Sequence, residues 1–119
     1  MSERFLKWAI KRHYKALDFK VSMRRIRLGN TEVDGEATAP NGERIAIEIK
    51  TPRDDLARGI GQLAEALAFD YHKAVLVTTL RNAMKINDRV FKKFDFILIG
   101  IDSAGKTHIV ADYKNQVGT

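Results

Sequence analysis

The sequence contains no cysteine, which excludes disulfide bonds, thiolate zinc sites and iron–sulfur clusters. It also has no apolar run approaching the roughly 18 residues that a transmembrane helix needs. The basic N-terminal stretch lacks the apolar region of a signal peptide. Together these absences predict a cytoplasmic protein.

No internal repeat, linker or low-complexity tract divides the chain. Its 119 residues are enough for one domain with one core and too few for two. Hydrophobic residues make up 45% and charged residues 30%, which is the balance of a globular protein. We therefore expect one domain over residues 1–119, with residues 113–119 as a flexible tail.

Charge is distributed unevenly along the chain. Residues 1–28 hold nine Lys/Arg and two Asp/Glu, residues 29–70 hold four and nine, and residues 71–119 hold eight and four. A protein that bound only phosphates would gain nothing from an acidic centre, whereas one that also binds a divalent cation needs it. The pattern predicts a cation site between two phosphate-binding flanks.

Residue patterns predict an α/β protein with a single mixed β-sheet flanked by helices. Ser2 is a suitable N-cap for the first helix, which carries an apolar stripe and a basic stripe at helical spacing. The predicted order α-β-β-β-α-β-α-β-β is that of a mixed α/β sandwich. Helices are expected at residues 3–16, 54–70 and 84–94, and strands at 19–28, 31–39, 43–51, 73–79, 96–102 and 107–113.

The segment "RIAIEIK", residues 44–50, alternates as a strand. Its three isoleucines lie on one face, and Glu48 and Lys50 lie on the other. A solvent-facing strand with a cross-strand ion pair is one interpretation of this polar face. The alternative, a functional site, depends on which residues of the preceding strand lie opposite.

The turn before this strand decides the pairing. The dipeptide "NG" alone permits a two-residue type I′ hairpin, which would place Asp34 opposite Ile49. The longer "APNGE" favours a three-residue loop, with Pro40 in a type I turn and Gly42 in the left-handed conformation. That register pairs Ala39 with Glu43, Glu36 with Ala46, Asp34 with Glu48 and Glu32 with Lys50.

Two carboxylates directly opposite each other are destabilising, unless a cation or solvent separates them. Mg²⁺ sites commonly use one or two carboxylates together with substrate phosphate and water. Lys50, on the same face, is placed to hold a phosphate oxygen or a water nucleophile. The polar face is therefore interpreted as the floor of a metal site, with Glu36 as a further candidate acidic residue.

These residues resemble the PD-(D/E)xK nuclease superfamily, through "VDG" at 33–35 and "EIK" at 48–50. The resemblance covers residues 1–79 and implies a restriction-endonuclease-like core of order α-β-β-β-α-β, here followed by a C-terminal helix and two strands. It implies a Mg²⁺ ion, replaceable by Mn²⁺, bound by Asp34, Glu48 and the backbone carbonyl of Ile49. It also implies that Lys50 positions the attacking water.

Two further residues carry the resemblance. Gln62 lies off the apolar stripe of its predicted helix and resembles the glutamine that follows the motif in RecB-like, VRR-type and archaeal Holliday-junction-resolving members. Glu3 matches the glutamate on the first helix of some members.

The sequence therefore predicts a Mg²⁺-dependent DNA endonuclease, and the resemblance implies 5′-phosphate products. We expect a homodimer that prefers branched DNA, since two equivalent sites suit the symmetric cutting of a four-way junction. The alternative is a nucleic-acid-binding or structural protein that retains the fold without catalysis. The residues expected to contact DNA phosphates are Arg4, Lys7, Lys11, Lys15, Arg24, Arg25, Arg27 and Arg58.

Overall fold

A computed structural model describes residues 1–112, so the expected flexible tail at residues 113–119 lies outside the described part of the chain. The helices are α1 (Glu3–Ala16), α2 (Leu56–Leu67), α3 (Leu80–Ala83) and α4 (Arg89–Phe94). The strands are β1 (Lys20–Ser22), β2 (Ile26–Leu28), β3 (Thr31–Val33), β4 (Gly35–Thr38), β5 (Arg44–Ile49), β6 (Lys73–Thr79), β7 (Ile97–Ile101) and β8 (Thr107–Ala111).

The predicted α/β fold, with a mixed sheet flanked by helices, is confirmed. Six strands form the main sheet in the order β1-β4-β5-β6-β7-β8. The central pairs β5–β6 and β6–β7 are parallel, and the outer pairs are antiparallel. Because β5 lies next to β6, the carboxyl end of β5 is at the interior of the sheet, where polar side chains can be enclosed.

The core has two layers, one on each face of this sheet. The isoleucines of β5 and the valines of β6 pack against Leu6, Ile10 and Tyr14 of α1, as the alternation in the sequence predicts. On the other face, Leu76 and Leu98 pack with residues of α2, α3 and α4. None of the helices in residues 1–112 is long and apolar enough to cross a membrane.

The first helix follows its sequence signals. The Ser2 hydroxyl accepts a hydrogen bond from the Phe5 N–H at 3.1 Å, and the helix runs over Glu3–Ala16 as expected. The second helix is shorter than the expected 54–70. Asp55 is its N-cap, and its carboxylate accepts from the N–H groups of Ala57 and Arg58.

Two of the strands lie outside the mixed sheet, because β2 and β3 form a separate two-stranded ribbon (residues 26–33). The expected strand 19–28 divides into β1, in the main sheet, and β2, in the ribbon. A two-residue turn at Gly29 and Asn30 pairs β2 with β3, since Leu28 pairs with Thr31 and Gly29 has a φ of +62°.

The expected strand 31–39 is also interrupted, at Asp34. The Asp34 carboxylate accepts the Ile49 N–H at 2.8 Å, a bond that a backbone carbonyl would take if the ladder continued. Consequently Glu32 does not pair with Lys50, as predicted, but with Arg27 in the ribbon.

Only the second half of the helix expected at 84–94 is helical, as α4, and a separate short helix, α3, ends at Ala83 before that range begins. The Thr79 hydroxyl caps α3 directly after β6, accepting from Asn82 N–H at 3.1 Å. A second start follows at Asn87, whose side-chain oxygen accepts from the Arg89 N–H at 3.1 Å just before α4.

Candidate active site

The β4–β5 hairpin has the three-residue loop that "APNGE" predicts. The Ala39 N–H donates to the Glu43 carbonyl at 2.8 Å, and Gly42 has a φ of +89°. The resulting register places Glu36 opposite Ala46 and Gly35 opposite Ile47. Asp34, one residue before β4, therefore lies beside Glu48, as the sequence indicates.

Asp34 is held in place by the backbone around it. Its N–H donates to the Ile47 carbonyl at 3.0 Å, while its carboxylate accepts from Ile49. Gly35 has a packing role, since a Cβ there would lie 2.7 Å from the Ser22 carbonyl oxygen and 2.6 Å from the Met23 sulfur. The "DG" pair thus lets β1 approach closely while Asp34 turns toward β5.

Glu48 is the buried carboxylate of the pair, with 2% of its surface exposed. Burial raises the pKa of Glu48 to about 9, and the neighbouring Asp34 adds to the rise through a hydrogen bond and its negative charge, which Lys50 partly opposes. Among the described residues, Glu48 Oε2 has no hydrogen-bond partner. A buried oxygen without a partner beside a second carboxylate fits a divalent cation.

Lys50 lies under α2, and Gly59 makes room for it. A Cβ at position 59 would lie 2.6 Å from Lys50 Cε and 3.3 Å from its Cγ. The lysine stem therefore crosses the surface of α2 at Gly59, and the charge of the side chain acts on Glu48. No local sequence signal indicates this role, because it depends on the contact between Gly59 and the Lys50 side chain.

These groups line a recess of about 200 Å³, here called the carboxylate recess. Asp34, Glu48, Ile49, Lys50 and Gln62, which the sequence singles out as site residues, all line it. So do three other predicted residues, Glu3, Arg25 and Arg58, together with Glu32 and Asp54, which were not predicted as site residues.

Gln62 connects α2 to the ribbon. Its Nε2 donates to the Glu32 backbone carbonyl at 3.0 Å, and its Oε1 is buried with no hydrogen-bond partner among the described residues. The amide thus holds the segment that leads into Asp34. As a catalytic residue, Gln62 stays a prediction.

The two missed residues, Glu32 and Asp54, had weak signals in the sequence. Asp54 accepts the N–H of Thr51 at 2.6 Å and its hydroxyl at 2.9 Å, and the pKa of Asp54 is lowered chiefly by the backbone hydrogen bond. The "TPRDD" turn is its only local signal. Glu32 reaches the recess because the "GN" turn folds the ribbon over α2, and that turn was the available clue.

Glu36 has other partners. The Tyr71 hydroxyl and the Arg44 guanidinium both donate to its carboxylate, the latter at 2.9 Å. Partial burial alone would raise the pKa of Glu36. The hydrogen bonds from Tyr71 and Arg44 and the charge of Arg44 together have the larger effect, and the net pKa of Glu36 is lowered. Glu36 does not line the recess.

The basic residues predicted to contact DNA fall into two groups. Arg4, Lys11 and Lys15 are exposed on α1, which begins at the recess with Glu3, and Lys7 forms an ion pair with Glu3 at 3.3 Å. In the second group, Arg24 is exposed before β2, Arg25 lies 3.8 Å from Glu32, and Arg27 and Arg58 line a neighbouring groove.

Within residues 1–112, no group of three or more Asp, Glu or His side chains is arranged to bind a metal ion. The candidate ligands are therefore two carboxylates and a backbone carbonyl, a set that Mg²⁺ completes with water and substrate phosphate in many proteins.

No family model and no curated protein matches this sequence. Solved structures do resemble it. An XisH family protein from Nostoc punctiforme has a TM-score of 0.65 at 13% identity, with 90% of this chain and 99% of that chain covered. An fdxN element excision controlling factor protein from Anabaena variabilis has a TM-score of 0.66 at 12% identity, covering 91% and 99%.

Pyrococcus furiosus SfsA, solved in complex with Ca²⁺, has a TM-score of 0.52 at 19% identity, and the match covers 91% of this chain but 60% of SfsA. At these identities the likeness shows the fold alone. That fold is a compact mixed α/β arrangement, in which a six-stranded mixed sheet is flanked by helices.

Proposed function

We propose that this protein is a Mg²⁺-dependent DNA endonuclease that hydrolyses phosphodiester bonds. The observation that carries the proposal is the pairing of Asp34 with a buried Glu48 whose Oε2 has no partner among the described residues. A structural carboxylate pair would be satisfied by donors from the protein. This pair instead opens into a recess that also contains Lys50 and Arg58.

Asp34, Glu48 and the Ile49 carbonyl are the groups that would hold the cation. When bound, the cation would neutralise both carboxylates, polarise a phosphoryl oxygen and lower the pKa of a bound water. The SfsA neighbour was solved in complex with Ca²⁺, which supports a divalent cation in a protein of this fold. Mn²⁺ is expected to replace Mg²⁺.

Lys50 supplies a positive charge in the same recess. Its ammonium is proposed to orient the attacking water and to offset the negative charge that develops on the phosphate. Water attacks the phosphorus in line with the leaving 3′ oxygen, the P–O3′ bond breaks, and the products carry 5′-phosphate and 3′-hydroxyl ends. Close packing against Gly59 limits the positions that the Lys50 side chain can occupy in the recess.

The basic groups on α1 and around the ribbon are proposed to bind DNA through its phosphates. We further propose that two copies associate with two-fold symmetry, which would join their basic surfaces and favour a four-way junction over linear duplex. Strand β8 ends the sheet of the described residues and exposes Ile109, so it is one edge at which a second copy can add.

The test is cleavage of a panel of linear, nicked, flapped and four-way DNAs with Mg²⁺, Mn²⁺ or EDTA. Cleavage should need the cation and should disappear in Asp34→Asn and Glu48→Gln, while Asp95→Asn, at an exposed position outside the recess, should cleave as the wild type does. Binding without cleavage under all metal conditions would favour the non-catalytic alternative. Wild-type rates in Asp34→Asn would refute the assigned site.

A further inference from the structure

We infer that the groove between the ribbon and α2 binds one unpaired nucleotide of the DNA strand next to the position of cleavage. This inference rests on the proposed function and deepens it, since it names a substrate with single-stranded character rather than continuous duplex.

The groove has a volume of about 640 Å³ and shares Glu32, Arg58 and Gln62 with the carboxylate recess. A strand whose phosphate enters the recess therefore continues directly into the groove. The Gln62 amide, bonded to the Glu32 carbonyl at 3.0 Å, forms the boundary between the two. Cavities of several hundred cubic ångströms are of the size that encloses a small ligand.

The lining of the groove has both signs of charge. Arg27 and Arg58 face it from opposite walls, as do the carboxylate of Glu65 and the side chain of Asn30. A surface that took only phosphates would be opposed by Glu65 and Glu32. Carboxylates instead accept hydrogen bonds from base amino groups, and Asn side chains bond to adenine edges, whereas arginine binds phosphate or guanine.

A paired base has its Watson–Crick edge occupied and stays within the helical stack. An unpaired base can leave the stack, enter a concave pocket and present that edge to side chains. The mixed lining and the concave shape together favour an unpaired nucleotide, with its phosphate on the Arg58 side, near the recess, and its base toward Asn30 and Glu65.

Gly61 provides a direct test, because it lines the groove and nothing lies within 4 Å of a Cβ added there. A leucine at this position would therefore have an unobstructed Cβ, would occupy part of the groove and would also raise the helix propensity of α2. Ala64 is exposed on the same helix and does not line the groove, so Ala64→Leu is the matched control.

The experiment measures binding by fluorescence anisotropy in EDTA at fixed ionic strength. Two labelled DNAs are compared, a closed duplex and the same duplex with a short unpaired branch. The wild type should bind the branched DNA more tightly. Gly61→Leu should lose about tenfold or more of that affinity and keep its affinity for duplex, whereas Ala64→Leu should change neither.

Thermal unfolding verifies that both leucine variants are folded, and Glu65→Ala, which fills nothing, should show a smaller loss confined to the branched DNA. Equal binding of the two DNAs by the wild type, unchanged binding in Gly61→Leu, or equal losses on both DNAs would each overturn the inference. Cleavage plays no part in this readout. If the protein binds DNA in this way but cuts none, the inference about the groove holds and the proposed nuclease function is refuted.

Discussion

Replacing Gly59 with alanine should impair cleavage through Lys50 while leaving the fold intact. The new Cβ would lie 2.6 Å from Lys50 Cε, whereas carbon atoms in ordinary contact are about 3.5–4.0 Å apart. The lysine stem must therefore move by roughly 1 Å, and a displacement of that size in a catalytic group costs about 100-fold in rate. We expect a loss of that order in kcat, with little change in KM.

Gly61→Ala is the matched control, since a Cβ there meets nothing within 4 Å. Both substitutions gain about 1 kcal/mol of helix propensity. Gly61→Ala should show this gain in full and cleave linear duplex, which leaves the groove unfilled, within about twofold of the wild type. Gly59→Ala should unfold at or above the wild-type temperature, because the side chain that it displaces is flexible.

The decisive measurement is a double-mutant cycle that combines Gly59→Ala with Lys50→Ala and compares the initial cleavage rates of the variants. If Gly59→Ala acts by displacing the lysine, the double variant should cleave no more slowly than Lys50→Ala alone. Independent, multiplied losses would show that Gly59 acts by another route. Wild-type cleavage by Gly59→Ala would refute the proposed role of the lysine position.

Three further outcomes are expected. Because the folded pKa of Glu48 is raised to about 9, above its ordinary 4.5, the stability from its buried proton is complete below pH 4.5 and is lost as pH rises through 9. In EDTA the wild type should therefore lose about 2 kcal/mol of unfolding free energy between pH 7 and pH 9 relative to Glu48→Gln. The same pH dependence of the unfolding free energy in both proteins, measured by urea unfolding, would contradict this. Mg²⁺ at about ten times its dissociation constant should stabilise the wild type and Lys50→Ala by about 1.4 kcal/mol, and it should not stabilise Asp34→Asn. If Mg²⁺ still raises the unfolding temperature of Asp34→Asn, Asp34 is not a ligand of the metal. Light scattering at micromolar concentration should show a dimer, and a monomer at that concentration would exclude the two-fold assembly. Equal cleavage of linear and four-way DNA would exclude only the preference for junctions.

Much of the scaffold around the site follows from local sequence. The Ser2 cap and the apolar spacing of α1 are nearest-neighbour properties of a helix, so its bounds were predictable. The loop "PNG" determines the hairpin register by its own turn geometry, and the register then brings Asp34 beside Glu48. The alternation of β5 likewise predicts that its isoleucines pack on a helix layer.

Two element bounds were predicted incorrectly, because local hydrogen bonds interrupt the expected elements. The apolar residues of the strand expected at 19–28 are only roughly in phase, and the hydrophobic pattern of the helix expected at 84–94 does not show where the helix begins. The two-residue turn at Gly29 and the hydrogen bond from the Arg89 N–H to the Asn87 side chain override these patterns, because satisfying backbone hydrogen bonds at these points outweighs propensity.

The chemical character of the site was decided by contacts between distant segments. The packing of α2 on β5 covers the face that carries Glu48, burial and Asp34 raise the pKa of Glu48, and Gly59 lets Lys50 pass beneath that helix. The folding of the ribbon toward α2 forms the groove and gives the Gln62 amide its partner, the Glu32 carbonyl. The sequence by itself determined which charged groups share a face of β5. Their burial, spacing and hydrogen bonding depend on which segments pack together, and local residue patterns carry no record of that.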